Sequence, residues 1–219
     1  MHLEVPGPAG TLEALLDPAF ASPGRYGGAG PPVTPRAAVV FAHPHPQLGG
    51  TMHTKAVFQG AKGLTRIGCD VLRFNFRGVG SSAGAFDGGL GEMADYRAAL
   101  DFLAARYPGV PLWAAGFSFG SWIALETGAA DPRVSVLIAV APPVTRGYSF
   151  ERTLETTKPK FIVQGDLDEV CPMKDLWAFY AKLKEPKEIA TIAGASHLFE
   201  GRAAEVGEAL EDLLGDFES

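Results

Sequence analysis

From Arg36 onward, short apolar runs alternate with longer segments in which apolar residues recur every three or four positions. The short runs cover 37–42, 71–76, 111–117, 134–141, 161–164 and 188–192, and such runs predict strands buried in a sheet. The longer segments cover 55–66, 91–106, 118–128, 176–183 and 203–214, with the spacing of helices that lay one face on a sheet. Strand and helix in strict alternation predict an α/β architecture, a mostly parallel central sheet with helices on both faces. The first 35 residues differ. They are rich in Gly and Pro, and only 11–16 suggests a strand, so 1–35 is expected to form a peripheral hairpin and then a loop through 24–35. No linker or internal repeat divides the 219 residues, which predicts a single domain, 1–219. In a parallel sheet ligands bind beyond the carboxyl ends of the strands, where the loops face one crevice, so the chemistry is expected there.

Composition narrows the classes of function. An apolar fraction of 47% with 20% charged residues is that of a folded globular chain. A net charge of −6 argues against nucleic acid as a partner, because phosphate-backbone binders concentrate Lys and Arg. Cys69 and Cys171 are too few for a disulfide framework and lack the paired spacing of a zinc site. Both are expected to be reduced, which points to the cytoplasm. The N-terminal residues have no basic start followed by an apolar core, so no export is expected. The longest apolar stretch, 134–144, contains Ser135, Pro142 and Pro143 and is well short of the roughly 20 residues that span a bilayer, so no membrane association is expected.

Gly116-Phe117-Ser118-Phe119-Gly120 stands where a predicted strand runs straight into a predicted helix. A serine on such a turn is held in a strained backbone with its hydroxyl presented, and the residues two before and two after must be small for strand and helix to approach. Ser in this place also caps helices, so the motif needs partners to become chemistry. A serine hydroxyl is a poor nucleophile without an adjacent base, and imidazole serves best near neutral pH. Where an elbow of this kind carries a nucleophile, its partners follow in the order serine, acid, histidine. Of His2, His43, His45, His53 and His197, only His197 lies after Ser118. The acid must lie between them at a strand end, where Asp166, Asp168 and Glu169 cluster. The residues by themselves leave these three open.

Taken together, these segments resemble the compact dienelactone-hydrolase-like serine esterases of the α/β-hydrolase superfamily. The likeness covers most of the chain and rests on Phe41-Ala42-His43-Pro44-His45-Pro46 with Gly49-Gly50, on Asn75-Phe76-Arg77-Gly78-Val79-Gly80-Ser81-Ser82, on the elbow, on Gly165-x-x-Asp168-x-x-Cys171-Pro172 and on Ala195-Ser196-His197. It implies an α/β-hydrolase fold without a large lid domain. It also implies Asp168 as the acid, three residues after the strand-ending glycine, with Asp166 as a turn former. Dienelactone hydrolases themselves use a cysteine nucleophile, so Ser118 points away from that particular activity and toward a serine esterase.

Acyl transfer also needs two backbone N–H donors for the oxyanion, one of them on the residue after the nucleophile, here Phe119. The second is expected from the loop after the first buried strand, where Pro44 and Pro46 have no N–H and His45 does. His43, His45 and His53 have no carboxylate near them in sequence, so no metal site and no cofactor are expected. The segment 78–84 lacks the spacing of a dinucleotide or phosphate loop and reads as a tight turn. Residues 142–159 form the one sizeable insertion over the crevice, too short for a lid domain. That predicts an open site for short acyl chains, lined by Tyr148, Phe150, Leu198 and Phe199. The expected partner is a small-molecule ester, the chain acting as a monomer or homodimer. Thioesters and amides suit the same chemistry, and a non-catalytic binding protein on the same scaffold is the alternative of a different class.

Overall fold

The computed structural model describes residues 1–20 and 34–217. Eight strands form one sheet: β1 His2–Gly7, β2 Gly10–Asp17, β3 Ala38–Ala42, β4 Asp70–Phe74, β5 Leu112–Phe117, β6 Val134–Val140, β7 Lys160–Gly165 and β8 Lys187–Ile192. Their order across the sheet is β1-β2-β4-β3-β5-β6-β7-β8. Six helices connect them: α1 Lys55–Arg66, α2 Leu90–Arg106, α3 Phe119–Ala130, α4 Glu151–Glu155, α5 Met173–Tyr180 and α6 Ala203–Leu214, with a short 3-10 helix at Pro46–Leu48. From β4 to β8 neighbouring strands run parallel, and the hairpin of β1 and β2 adds antiparallel to β4 at one edge. The fold is thus the expected one.

Strand alternation sorts the core into two layers. Ala38, Val40 and Ala42 of β3, Leu112 and Ala114 of β5, and Leu137 and Ala139 of β6 pack with Tyr96 and Leu100 of α2, Ile123 of α3 and Leu176 of α5. Their chain neighbours Val39, Phe41, Trp113, Phe117, Val136 and Ile138 face the other way, onto Val57 and Leu64 of α1 and Val206 and Leu210 of α6. A strand buried on both faces is apolar at nearly every position, which is why β3, β5 and, but for Ser135, β6 read as continuous runs.

Several boundaries differ from those expected, each for a local reason. The strand expected to reach Phe76 ends at Phe74, where the Asn75 side chain takes over by accepting from Met52 N–H and donating to Glu13. The helix expected from Leu176 starts at Met173, directly after Pro172. Within the 142–159 insertion lies α4, too short and too polar to show a period. Its first-turn N–H groups, on Arg152 and Thr153, donate to the buried Glu126 of α3. The expected loop falls for the most part, 24–33, outside the described residues. No helix among the described residues is long and apolar enough to cross a membrane.

Candidate active site

Ser118 sits between β5 and α3 with φ 53° and ψ −123°, a left-handed conformation that L residues rarely adopt. The helix therefore begins one residue later than expected, with Ser118 at its N-cap position and no capping hydrogen bond from its hydroxyl. The two glycines make the turn possible. A Cβ on Gly116 would come within 2.1 Å of the Gly120 carbonyl oxygen, and one on Gly120 within 2.4 Å of that of His43. Neither neighbour can yield, because both are backbone.

The Ser118 hydroxyl instead meets His197, with Oγ 2.9 Å from Nε2. On its other side the ring places Nδ1 2.8 Å from Oδ2 of Asp168. A carboxylate accepts only, so Nδ1 carries the proton and donates it, leaving the lone pair of Nε2 for the serine hydroxyl. Asp168 follows β7, and His197 follows β8 across a turn that Gly165 allows to come close: a Cβ there would lie 2.3 Å from the Ala195 carbonyl oxygen. All three side chains are buried or nearly so.

The three carboxylates that the sequence left open all touch the loop carrying His197, in different ways. Asp166 accepts the Gly194 N–H at 2.6 Å, Glu169 accepts the His197 backbone N–H at 3.2 Å, and Asp168 alone meets the imidazole. The other oxygen of Asp168 accepts the N–H groups of Val170 and Cys171, both at 2.8 Å. A carboxylate held at both oxygens in this way cannot rotate away from the ring.

The remaining predicted positions divide. As the first residue of α3, Phe119 has an N–H with no intrahelical acceptor. His45 opens the short 3-10 helix, and its ring lies 5.0 Å from that of Phe119, so the loop expected to supply a second N–H does stand against the elbow. Tyr148 stacks on Trp122 at 4.3 Å and lies 5.9 Å from Phe119. With Phe150, Val144, Leu154 and Phe179 it lines a cavity of about 410 Å³. Leu198 is half exposed beside His197. Phe199 does not line the crevice as expected. It is completely buried against Phe117, because its own positive φ, 52°, turns the side chain back into the core.

The roles of two residues at the site were not read from the sequence. His43 is fully buried; its Nδ1 donates to the Pro44 carbonyl at 2.6 Å and its Nε2 accepts from the Phe76 N–H at 3.1 Å. Burial pushes its pKa down to about 4, so it is a neutral strut between the loop after β3 and the loop after β4. Gln164, the penultimate residue of β7, donates to Asp168 at 2.8 Å. Its signal was an amide directly after the apolar run Phe161-Ile162-Val163. Around the loop after β4, Arg77 forks onto the buried Asp95 of α2, and Ser82 donates to the Asn75 carbonyl, giving the Arg77-Gly78-Val79-Gly80-Ser81-Ser82 segment a structural purpose.

Comparison with known proteins bears on the family and the fold. A family model described as serine aminopeptidase, S33, matches residues 33–154. An uncharacterized protein of Rickettsia prowazekii is 37% identical over 216 residues, 95% of this chain and 86% of its own. Among solved structures, an α/β serine hydrolase homologue from Coxiella burnetii shares 37% identity with a TM-score of 0.86, covering 98% of this chain and 97% of that one. A lidless α/β serine hydrolase of Xanthomonas campestris shares 32% identity with a TM-score of 0.85, covering 97% and 92%.

Proposed function

The chain belongs to the serine hydrolases of the α/β-hydrolase superfamily, and on that premise we propose that it hydrolyses short-chain carboxylic esters through an acyl-enzyme on Ser118. His197 Nε2 takes the Ser118 proton as Oγ attacks the ester carbonyl, and Asp168 stabilises the imidazolium that forms. The alkoxide is held by the N–H groups of Phe119 and His45. Collapse of the intermediate breaks the ester C–O bond, and the departing alcohol takes the proton from His197. Water then gives a proton to His197 and attacks the acyl carbonyl; the bond from Ser118 Oγ to the acyl carbon breaks, and His197 returns the proton to Oγ as the carboxylic acid leaves. The observation that carries this reading is the unbroken hydrogen-bond chain from Ser118 Oγ through His197 to Asp168, at 2.9 and 2.8 Å.

Tyr148, stacked on Trp122 and facing Phe119, offers an aromatic wall beside the elbow for a small acyl or alkyl group. The shared sheet of residues 1–20 and 34–217 supports a single domain, and two free, buried thiols at Cys69 and Cys171 support a cytoplasmic setting. Hydrolysis of a p-nitrophenyl ester series by wild type and Ser118→Ala, with circular dichroism on both, tests the proposal. Wild type should turn over acetate and butyrate faster than long-chain esters, and the variant should lose roughly four orders of magnitude or more. Thioesters and p-nitroanilides run alongside decide between ester and amide chemistry. A Ser118→Ala variant that keeps its activity contradicts the mechanism.

A further inference from the structure

We infer that Gln164 is a positioning residue for the Asp168–His197 pair, holding the carboxylate oxygen that the imidazole uses. The inference rests on the mechanism proposed above. Gln164 is completely buried at the carboxyl end of β7. Its Nε2 donates both to Asp168 Oδ2 at 2.8 Å and to the Cys171 carbonyl at 2.9 Å, while its Oε1 is buried with no partner among the described residues. An unpaired buried carbonyl oxygen is costly. The opposite orientation of the amide is excluded, since it would set Oε1 against two acceptors, the Asp168 carboxylate and the Cys171 carbonyl. The site thus keeps an orphaned oxygen in order to aim an NH2 group at Asp168.

The consequence follows from how Asp168 is divided. Oδ1 takes the N–H groups of Val170 and Cys171, and Oδ2 is shared by Gln164 and His197. Without the amide, Oδ2 has the imidazole alone. The oxygen is then freer to move, and it carries more negative charge toward the ring, which favours the charged ring over the neutral one and should move the acidic limb of activity to higher pH. The other titratable and charged groups around the pair are Ser118 from the elbow, Asp166 and Glu169 on the same loop, Cys171 and Asp175 at the start of α5, and Arg202 over Gly194. Of these, Cys171 also touches Gln164, through its backbone carbonyl.

The test uses the full chain, p-nitrophenyl acetate and pH 5 to 8. Gln164→Met keeps the length and removes the donor. It should lower kcat roughly tenfold to a hundredfold with KM little changed. The acidic limb of its profile should rise by about half a pH unit or more. In Gln164→Glu the introduced carboxyl donates to Asp168 only while protonated. Activity should therefore pass through a maximum as pH rises, where wild type keeps climbing, and this variant carries the test if Gln164→Met does not fold. A uniform loss of kcat with the acidic limb unmoved means a packing role only and overturns the inference, as does a Gln164→Met enzyme with the wild-type profile. An active Ser118→Ala control overturns the mechanism beneath it, whereas an inactive control beside a wild-type Gln164→Met profile overturns the Gln164 assignment alone.

Discussion

The two flanks of Ser118 are built by different physics. On the flank formed by the loops after β7 and β8, hydrogen bonds set the position of the reacting groups: Asp168 accepts four, and Asp166 and Glu169 pin the backbone on either side of Ala195-Ser196. On the flank formed by the loops after β3, β4 and β6, rings pack on rings. His45 lies against Phe86 and Phe119, and Tyr148 against Phe119 and Trp122. Hydrogen bonds are directional and costly to leave unmade, so the first flank tolerates little displacement. Aromatic contacts vary smoothly with distance and angle, so the second can accept ligands of different shape. In the proposed mechanism, fixed geometry would serve the proton transfers and a compliant wall the variable part of a substrate.

Substitutions should respect that division. The largest effect belongs to the hydrogen-bonded flank. Asp168→Asn keeps the shape but offers the wrong groups to Nδ1, and it should lower kcat by roughly four orders of magnitude with KM little changed. A loss below tenfold would remove Asp168 from the mechanism.

An intermediate effect concerns stability, through the deeply buried His43 on the aromatic flank. Its pKa is about 4 in the folded protein, lowered by burial, against about 6.5 in an unfolded chain. Between those values the unfolded chain binds a proton and the folded one does not, so stability falls as pH drops from 6.5 to 4. At lower pH the folded histidine is protonated too, and this contribution stops growing. The full loss is about 3 kcal/mol. Denaturant melts across this range should show a steeper acid loss in wild type than in His43→Gln, and equal slopes would contradict the assignment.

The smallest effect is expected on the compliant flank. Tyr148→Ala should leave acetate turnover nearly intact and shift the ratio of butyrate to acetate by roughly tenfold at most. Parallel loss on every ester would mean that Tyr148 supports the elbow rather than the substrate wall.

What the sequence disclosed follows the same line between local and distant causes. The bounds of α1 and α6 coincide with those read from their apolar spacing, because each helix lays one local stripe on the sheet. Ser118 and His197 stood out because an elbow and a chain order are local patterns. Helix α4 stayed hidden because its N-terminus is satisfied by Glu126, a residue from another helix. Phe199 misled because adjacency to His197 says nothing of side-chain direction when the backbone turns left-handed. The role of His43 escaped for a related reason, since its partner Phe76 lies on a different segment, whereas that of Gln164 depends on how the turn after β7 folds back over the strand end. The choice among Asp166, Asp168 and Glu169 likewise depended on where one loop meets another.

The most direct test of the central claim is covalent trapping of the nucleophile. Incubation with a fluorophosphonate, followed by peptide mass spectrometry, should place one phosphonyl group on Ser118, and His197→Ala should label far more slowly while remaining folded. Labelling at another residue, or none in a folded wild-type protein, would contradict an activated serine at this site.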